Sequence, residues 1–335
     1  MKNEVVGRCT DNIRPQANKS HVCETDSVRN RLKVKAIVFK NLIVYRIGAD
    51  WSATLAQAER GLAQARFVEC GATQEKSVGW IEPRGEAHGP LVEAVAGHWM
   101  LKLMIEVKAL PGSVVKRKVD ERLTQIEAGE GRKPGKREKR EIKDEVRLQL
   151  LPMAFTKQAA VQVWIDPKAK LLALDAASQA KADEVVTCLV QCLDGLVVLP
   201  VSTQTSPAAA MSEWLMTQEP PPAFSVDREC ELKAPDESRA VVRYSRHPLD
   251  TEEVREHIRC GKQPTRLALT WDNRVSLVLT DTGQVKKLAF LDVVFEGASA
   301  KQDDGFDADV AIATGELQRL IPDLLQALGG ETVAA

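Results

Sequence analysis

Residues 113–151 constrain this chain more than any other stretch. They are rich in charge, poor in aromatics, helical in pattern and interrupted only once, at Pro134-Gly135. A segment with so little to bury cannot lie inside a core, so it must form a lobe of its own. The pattern predicts two helices, "SVVKRKVDERLTQIEA" and "KREKREIKDEVRLQLL", joined by the glycine-rich turn "GEGRKPG" and projecting from the body. Between Arg132 and Lys143 stand seven basic residues against two acidic, a local charge of +5 in a chain whose total is −1. At about 100° per residue, Lys136, Arg140, Lys143 and Arg147 fall in one stripe roughly 60° wide. Ile142, Val146, Leu150 and Met153 form a neighbouring apolar stripe, and Glu138, Glu141, Asp144 and Glu145 take the rest. Two readings stay open on the pattern alone. One is an exposed helix laced by i,i+4 ion pairs. The other is a surface for a polyanion, to which Lys116, Arg117, Lys118 and Arg122 of the preceding helix would add. Aromatic residues make up only 4% of the chain and none interleaves with the cations. That favours phosphate contact over base stacking, and so sequence-independent duplex binding over single-strand recognition.

The flanking sequence is of ordinary globular composition, 44% hydrophobic and 28% charged, in 335 residues. Its seven cysteines are scattered without a CxxC pair, which suits a reducing cytosol. No apolar run approaches the roughly 20 residues a membrane span needs. Residues 1–36 are polar without a period and are expected to be a disordered extension. Order is expected from a strand over residues 36–47, followed by a helix in "SATLAQAERGLAQA" and strands in "SVGWIEPR" and "GHWMLKLMIEVKAL". Beyond Pro152 come a hairpin turning at Asp166-Pro167, a helix capped by Ser178, and a helix with Ser206 as cap and Pro207 at its first position. Strands "ECELKA" and "RAVVRYSRH", the helix "TEEVREHIRCG", three further strands and a last helix "GELQRLIPDLLQALGG" close the chain. There is no internal repeat and no βαβ rhythm. The class expected is α+β, an elongated, multi-lobed subunit with mixed antiparallel sheets. Its expected parts are an N-terminal lobe over 37–112, the helical pair over 113–151, a central lobe over 152–223 and a C-terminal lobe over 224–330.

Catalytic motifs find little support. Gly135-Lys136 fails the phosphate-loop pattern, because Glu130 stands where its first glycine belongs and Arg137 where its Ser/Thr belongs. Cys188 and Cys192 are four apart on an apolar helix with no histidine beside them, so buried thiols are expected there. The five histidines are isolated, and His98 beside Trp99 reads as packing. No G-x-S-x-G elbow is present. The carboxylates Asp303, Asp304, Asp307 and Asp309 could hold a nuclease metal, but the stretch "DDGFDAD" reads as a solvated acidic loop. No cofactor and no metal is expected.

Beyond these features, "VFKNLIVYRI", "SVGWIEPR", "GRKPGKREKREIKDEV", "LLPMAF", "WIDP", "LALDAASQAKADEV", "TQTSPAAAMSEWL", "FSVDRECEL" and "GKQPTRLALTWDNRVSLVLT" occur in order along the chain. Together they resemble the bacterial recombination-associated protein RdgC family over residues 37–328. The resemblance implies a ring-forming homodimer with a positive central hole for double-stranded DNA, non-specific binding, a cytoplasmic, nucleoid-associated location and restraint of RecA-promoted strand exchange. It implies no enzymatic activity, and that the helical pair is a finger whose tip meets the other subunit. Phe155 of "LLPMAF", with Arg246 and His247 of "RYSRHPL", is then similar to the family's residues at that contact. The alternative for Phe155 is a place in its own core. Taken with the charge pattern, the resemblance assigns DNA contacts to Lys116, Lys118, Lys133, Lys136, Arg140, Lys143, Arg147, Lys262 and Arg266. Two other functions remain as alternatives, a metal-dependent DNA nuclease built on Asp303, Asp304 and their neighbours, and an RNA-binding chaperone.

Overall fold

The computed structural model describes residues 39–296 and 305–332. The extension expected over residues 1–36 lies outside them. The first sheet is built from β1 (Ile43–Ile47), β2 (Lys76–Ile81), β3 (Glu93–Val95), β4 (His98–Ala109), β5 (Phe155–Asp166), β6 (Leu171–Leu174) and β7 (Val198–Pro200). Its order is β2-β4-β5-β6-β1-β7, all antiparallel, with β3 sharing the β2 edge of β4. The long β4–β5 ladder, from Trp99 opposite Ile165 to Ala109 opposite Phe155, joins strands from both sides of the charged segment. The segments 37–112 and 152–223 thus contribute to one sheet.

Helix α1 (Leu55–Ala63) and, further on, α4 (Gln179–Cys192) cover one face of that sheet. Ala58, Leu62, Val185 and Leu189 pack there on Tyr45, Trp80, Leu101, Leu103, Val161 and Val163. Each helix starts where side-chain chemistry allows. Thr54 and Gln57 form a capping box, and Ser178 Oγ accepts from Lys181 N at 3.4 Å. The two helices approach so closely that a Cβ on Gly61 would collide with the Cys192 carbonyl oxygen.

Between β4 and β5 stand the two expected helices, α2 (Gly112–Glu130) and α3 (Lys136–Leu150). After α4 come α5 (Pro207–Thr217), β8 (Phe224–Lys233), β9 (Val241–Ser245), α6 (Glu252–Arg259), β10 (Gln263–Trp271), β11 (Val275–Thr280), β12 (Val285–Phe290) and α7 (Gly305–Ala327). Ser206 Oγ accepts from Ala209 N at 3.3 Å with Pro207 at the first helical position of α5, as expected. The second sheet runs β12-β11-β10-β8-β9, again antiparallel. One apolar cluster joins its inner face (Leu267, Leu269, Leu277, Leu279) to α5, α7 and the free face of the first sheet at Met100 and Trp164. The fold is therefore mixed α+β with two antiparallel sheets. No described helix is long and apolar enough to cross a membrane.

Three expectations need correction. The strand expected from residue 36 is described only from Ile43, because Leu42 leaves the first sheet to exchange hydrogen bonds with Val285 of β12. The last helix starts at Gly305 rather than Gly315, since Val310, Ala313 and Thr314 extend its buried stripe toward the N-terminus. That extension takes Asp307 and Asp309 out of the expected acidic loop. Met153 is 73% exposed instead of completing the α3 stripe, because α3 ends before Pro152 and the chain turns through a single 3₁₀ turn.

Candidate nucleic-acid interface

The α2–α3 pair is held by a small core of its own. Val115, Ile142 and Val146 are buried, with Leu110, Val119, Leu123, Ile126 and Leu150 packed half-buried against them. Gly131 closes α2 in the left-handed region at φ 67°, where it donates to Glu127 O at 3.0 Å. Most apolar residues of the pair lie along one stripe per helix, Leu148 of α3 being exposed, and the remaining faces are left to solvent.

The two flanks of the pair differ in charge. On one, Lys116 of α2 shares a groove with Lys143 and Arg147 of α3. On the other, Lys118 and Arg122 lie among Glu121, Glu145 and Gln149. Lys118 and Lys116 are therefore not neighbours across one surface, and the Lys118 ammonium is already bound to Glu121 at 2.8 Å, which holds that carboxyl below the usual range. The ion-paired reading of the charge run is realised in part. Arg132 is held by Glu130 and Glu138 at 2.8 and 2.7 Å, and Arg137 by Glu141 at 3.0 Å. Lys116, Lys133, Lys136, Lys139, Arg140 and Lys143 are exposed and form no ion pair among the described residues. The unpaired cations therefore run along Lys136, Arg140 and Lys143 to Lys116.

Arg147, the last residue of that stripe, is half-buried and reaches Glu75 Oε1 at 3.1 Å, in the loop before β2. Beside it Lys108 Nζ donates to Ala72 O at 2.7 Å and to Leu151 O at 3.1 Å. These bonds tie the root of the helical pair to the first sheet. Nothing in the sequence near either residue pointed to Glu75.

Phe155, the first residue of β5, is 87% exposed, so it does not fill the core of its own chain, and it stands at the root of the helical pair rather than at the tip expected to make the contact. Val107, on the same sheet face two ladder pairs along from the Ala109–Phe155 pair, is exposed as well. Arg246 and His247 are exposed in the loop after β9, on the other sheet, with Arg246 at φ 55°. His247 Nδ1 lies 2.6 Å from Pro248 O, which can only accept, so this nitrogen carries the proton. Lys262 sits in the turn before β10 and bonds His257 at 3.1 Å. Arg266 is exposed on β10, apart from the helical pair. It has a neighbour the sequence did not flag: burial and then the Arg266 charge push the Lys286 ammonium below the usual lysine range.

The acidic residues are engaged elsewhere. Asp307 binds Arg84 at 2.5 Å, and the same guanidinium reaches Glu93 at 3.1 Å and covers the Phe306 ring at 4.4 Å. Asp309 is 6% exposed, and burial pushes its carboxyl up. Asp303 and Asp304 lie outside the described residues. Among those described, no three His, Cys, Asp or Glu side chains gather as a metal site would require. Cys188 and Cys192 are half-buried with thiols pushed up by burial, and His98 is buried, with its Nδ1 accepting from Trp164 Nε1 at 3.2 Å.

Residues 37–331 match the family model described as "Putative exonuclease, RdgC". The chain is 45% identical over 303 residues to the recombination-associated protein RdgC of Dechloromonas aromatica, covering 89% of this chain and 99% of the relative. The protein of the same name from Cupriavidus pinatubonensis is 44% identical over 299 residues, covering 88% and 99%. That from Herminiimonas arsenicoxydans is 43% identical over 296 residues, covering 88% and 98%.

Proposed function

Because the chain belongs to the RdgC family, whose relatives are named for recombination, we propose that it binds double-stranded DNA without sequence preference and restrains RecA-promoted strand exchange. In this reading two copies close a ring around duplex in the nucleoid. The α2–α3 pairs act as fingers, and Phe155 meets Arg246 and His247 of the second copy. The observation that carries it is the surface Lys136, Arg140, Lys143 and Lys116, whose cations have no carboxylate partner among the described residues. Unpaired cations along one face suit a phosphate backbone, and contacts to phosphate alone let a ring slide, since no base edge sets its register. Duplex occupied in this way is closed to a recombinase filament.

Binding to random-sequence duplex across a salt series tests this. With Z phosphates neutralised, the slope of log affinity on log salt is about −0.9Z, and a Z of roughly 5 or more is expected from two subunits. A flat slope, or equal loss of binding to structured RNA in competition, would sink the duplex reading. The family description also names an exonuclease, which makes nucleolysis the second reading. Shortening of linear DNA with magnesium or manganese, scaling with protein through successive purification steps, would establish that reading instead.

A further inference from the structure

Lys108 gathers three backbone carbonyls from separate parts of the chain. The alternation of β4 sends Leu103 and Ile105 into the core under α1 and α4, and so turns Glu106 and Lys108 to the opposite face. There the loop 68–75 lies beside them. Lys108 N donates to Glu75 O at 2.9 Å, one step beyond the ladder pair of Lys76 and Val107. Its ammonium donates to Ala72 O, in the middle of the loop, and to Leu151 O. Leu151 caps the C-terminus of α3, so its carbonyl is one that no helical N–H satisfies, and a cation there also meets the negative end of the helix dipole.

The loop itself is pinned from below. Glu106 is 2% exposed and accepts from Cys70 N at 2.5 Å and from Gln158 Nε2 at 3.1 Å. The Cys70 amide above all holds that carboxyl below the usual range. At the start of the loop the Ser77 hydroxyl donates to Val68 O. A fixed loop and a fixed strand thus hold one ammonium, and the ammonium holds the end of α3. The helical pair needs such a hold, since Val115, Ile142 and Val146 pack only within it.

We propose that Lys108 is a positioning residue that sets the direction of α3, and with it a preference of the cationic surface for duplex over single-stranded DNA. The inference rests on the duplex-binding reading above. A duplex is stiff, so cations that are to meet several of its phosphates must already stand in line. A single strand bends to follow cations wherever they point. Clamping the root of α3 therefore strengthens binding to one form and is indifferent to the other.

The test measures, by anisotropy at fixed salt, the affinity of the full chain for a random-sequence duplex and for one of its strands alone. The variants are K108M, K108R, E106Q and K170M. K108M should lose duplex affinity by roughly fivefold to tenfold, the factor for ordering one or two further side chains on binding, with single-strand affinity unchanged. K108R still carries donors for two carbonyls and should recover most of the preference. E106Q turns one acceptor of the buried carboxylate into a donor, so it should shift the ratio in the same sense by less, and it serves if K108M does not fold. Lys170 also donates to a carbonyl, Trp51 O, but at the far end of β5 from α3, so K170M should keep the parental ratio. Equal loss of duplex and single strand in K108M would make Lys108 a phosphate contact instead of a positioning residue. That result, a ratio unchanged in both K108M and E106Q, or a ratio moved as far by K170M, overturns the inference while leaving duplex binding intact. Absence of duplex binding in the parent would instead overturn the reading on which the inference rests.

Discussion

At the scale of single residues, the partner of each charge decides its use. Arg147 belongs to the cationic stripe of α3 by periodicity, yet Glu75 holds it at 3.1 Å. A partly exposed surface pair of this kind contributes at most about 1 kcal/mol, so a phosphate can compete for the guanidinium. E75Q is expected to raise duplex affinity about two- to fivefold in the same anisotropy assay, and an unchanged affinity would place Arg147 outside the contact surface. Asp309 illustrates the opposite case, a buried carboxyl with no ion pair among the described residues. Burial raises its carboxyl in the fold, so its contribution is fully present below the unfolded value and is lost as pH rises through the folded one. At neutral pH the buried carboxylate weakens the fold. D309N should raise Tm at pH 7 by roughly 2–4 °C, with the difference shrinking toward pH 4. A difference that grows on acidification would contradict the sign.

Elements differ in how much core supports them. The sheets share extensive apolar clusters, while the α2–α3 pair has three buried residues of its own. V146A should therefore speed amide exchange across residues 112–150 by at least about tenfold, the effect of losing some 1.4 kcal/mol locally. Exchange in β4 and β5 should stay as it was, and uniform acceleration through the sheets would show that the pair is not a separate unit of stability. The boundaries of these elements were readable where local chemistry sets them. Ser178 and Ser206 start their helices by capping backbone N–H groups within three residues, and Pro134-Gly135 separates α2 from α3. The start of α7 was not readable in the same way. Its first turns are acidic, and only burial of Val310, in the joint core, and of Ala313 marks them as helix.

For the whole molecule, the proposed ring depends on surface that a single chain leaves uncovered. Phe155 is 87% exposed at the foot of the helical pair, so replacing it disturbs little within the chain. F155E is expected to leave Tm within about 1 °C of the parent, since surface changes usually cost under 0.5 kcal/mol. It should shift the mass measured by light scattering toward the monomer. Duplex affinity should fall by about 100-fold as linked binding is lost. A dimer that persists in F155E with parental affinity would remove Phe155 from the interface.

By itself the sequence determined the type of most segments, that the class is α+β, and that a cationic helix stands between two runs of strands. Those properties follow from periodicity and capping, which act over a few residues and are written in consecutive letters. Tertiary structure alone decided that strands from both sides of the helical pair share one sheet. It also decided that Lys116 faces Lys143 while Lys118 lies on the opposite flank, and that Arg147 meets Glu75. It placed Lys262 against His257 and buried Asp309. Ion pairing and burial depend on which distant segment returns alongside, and so on the packing of the whole chain. A cation is legible in the sequence, but whether it is free to bind is settled only by the fold.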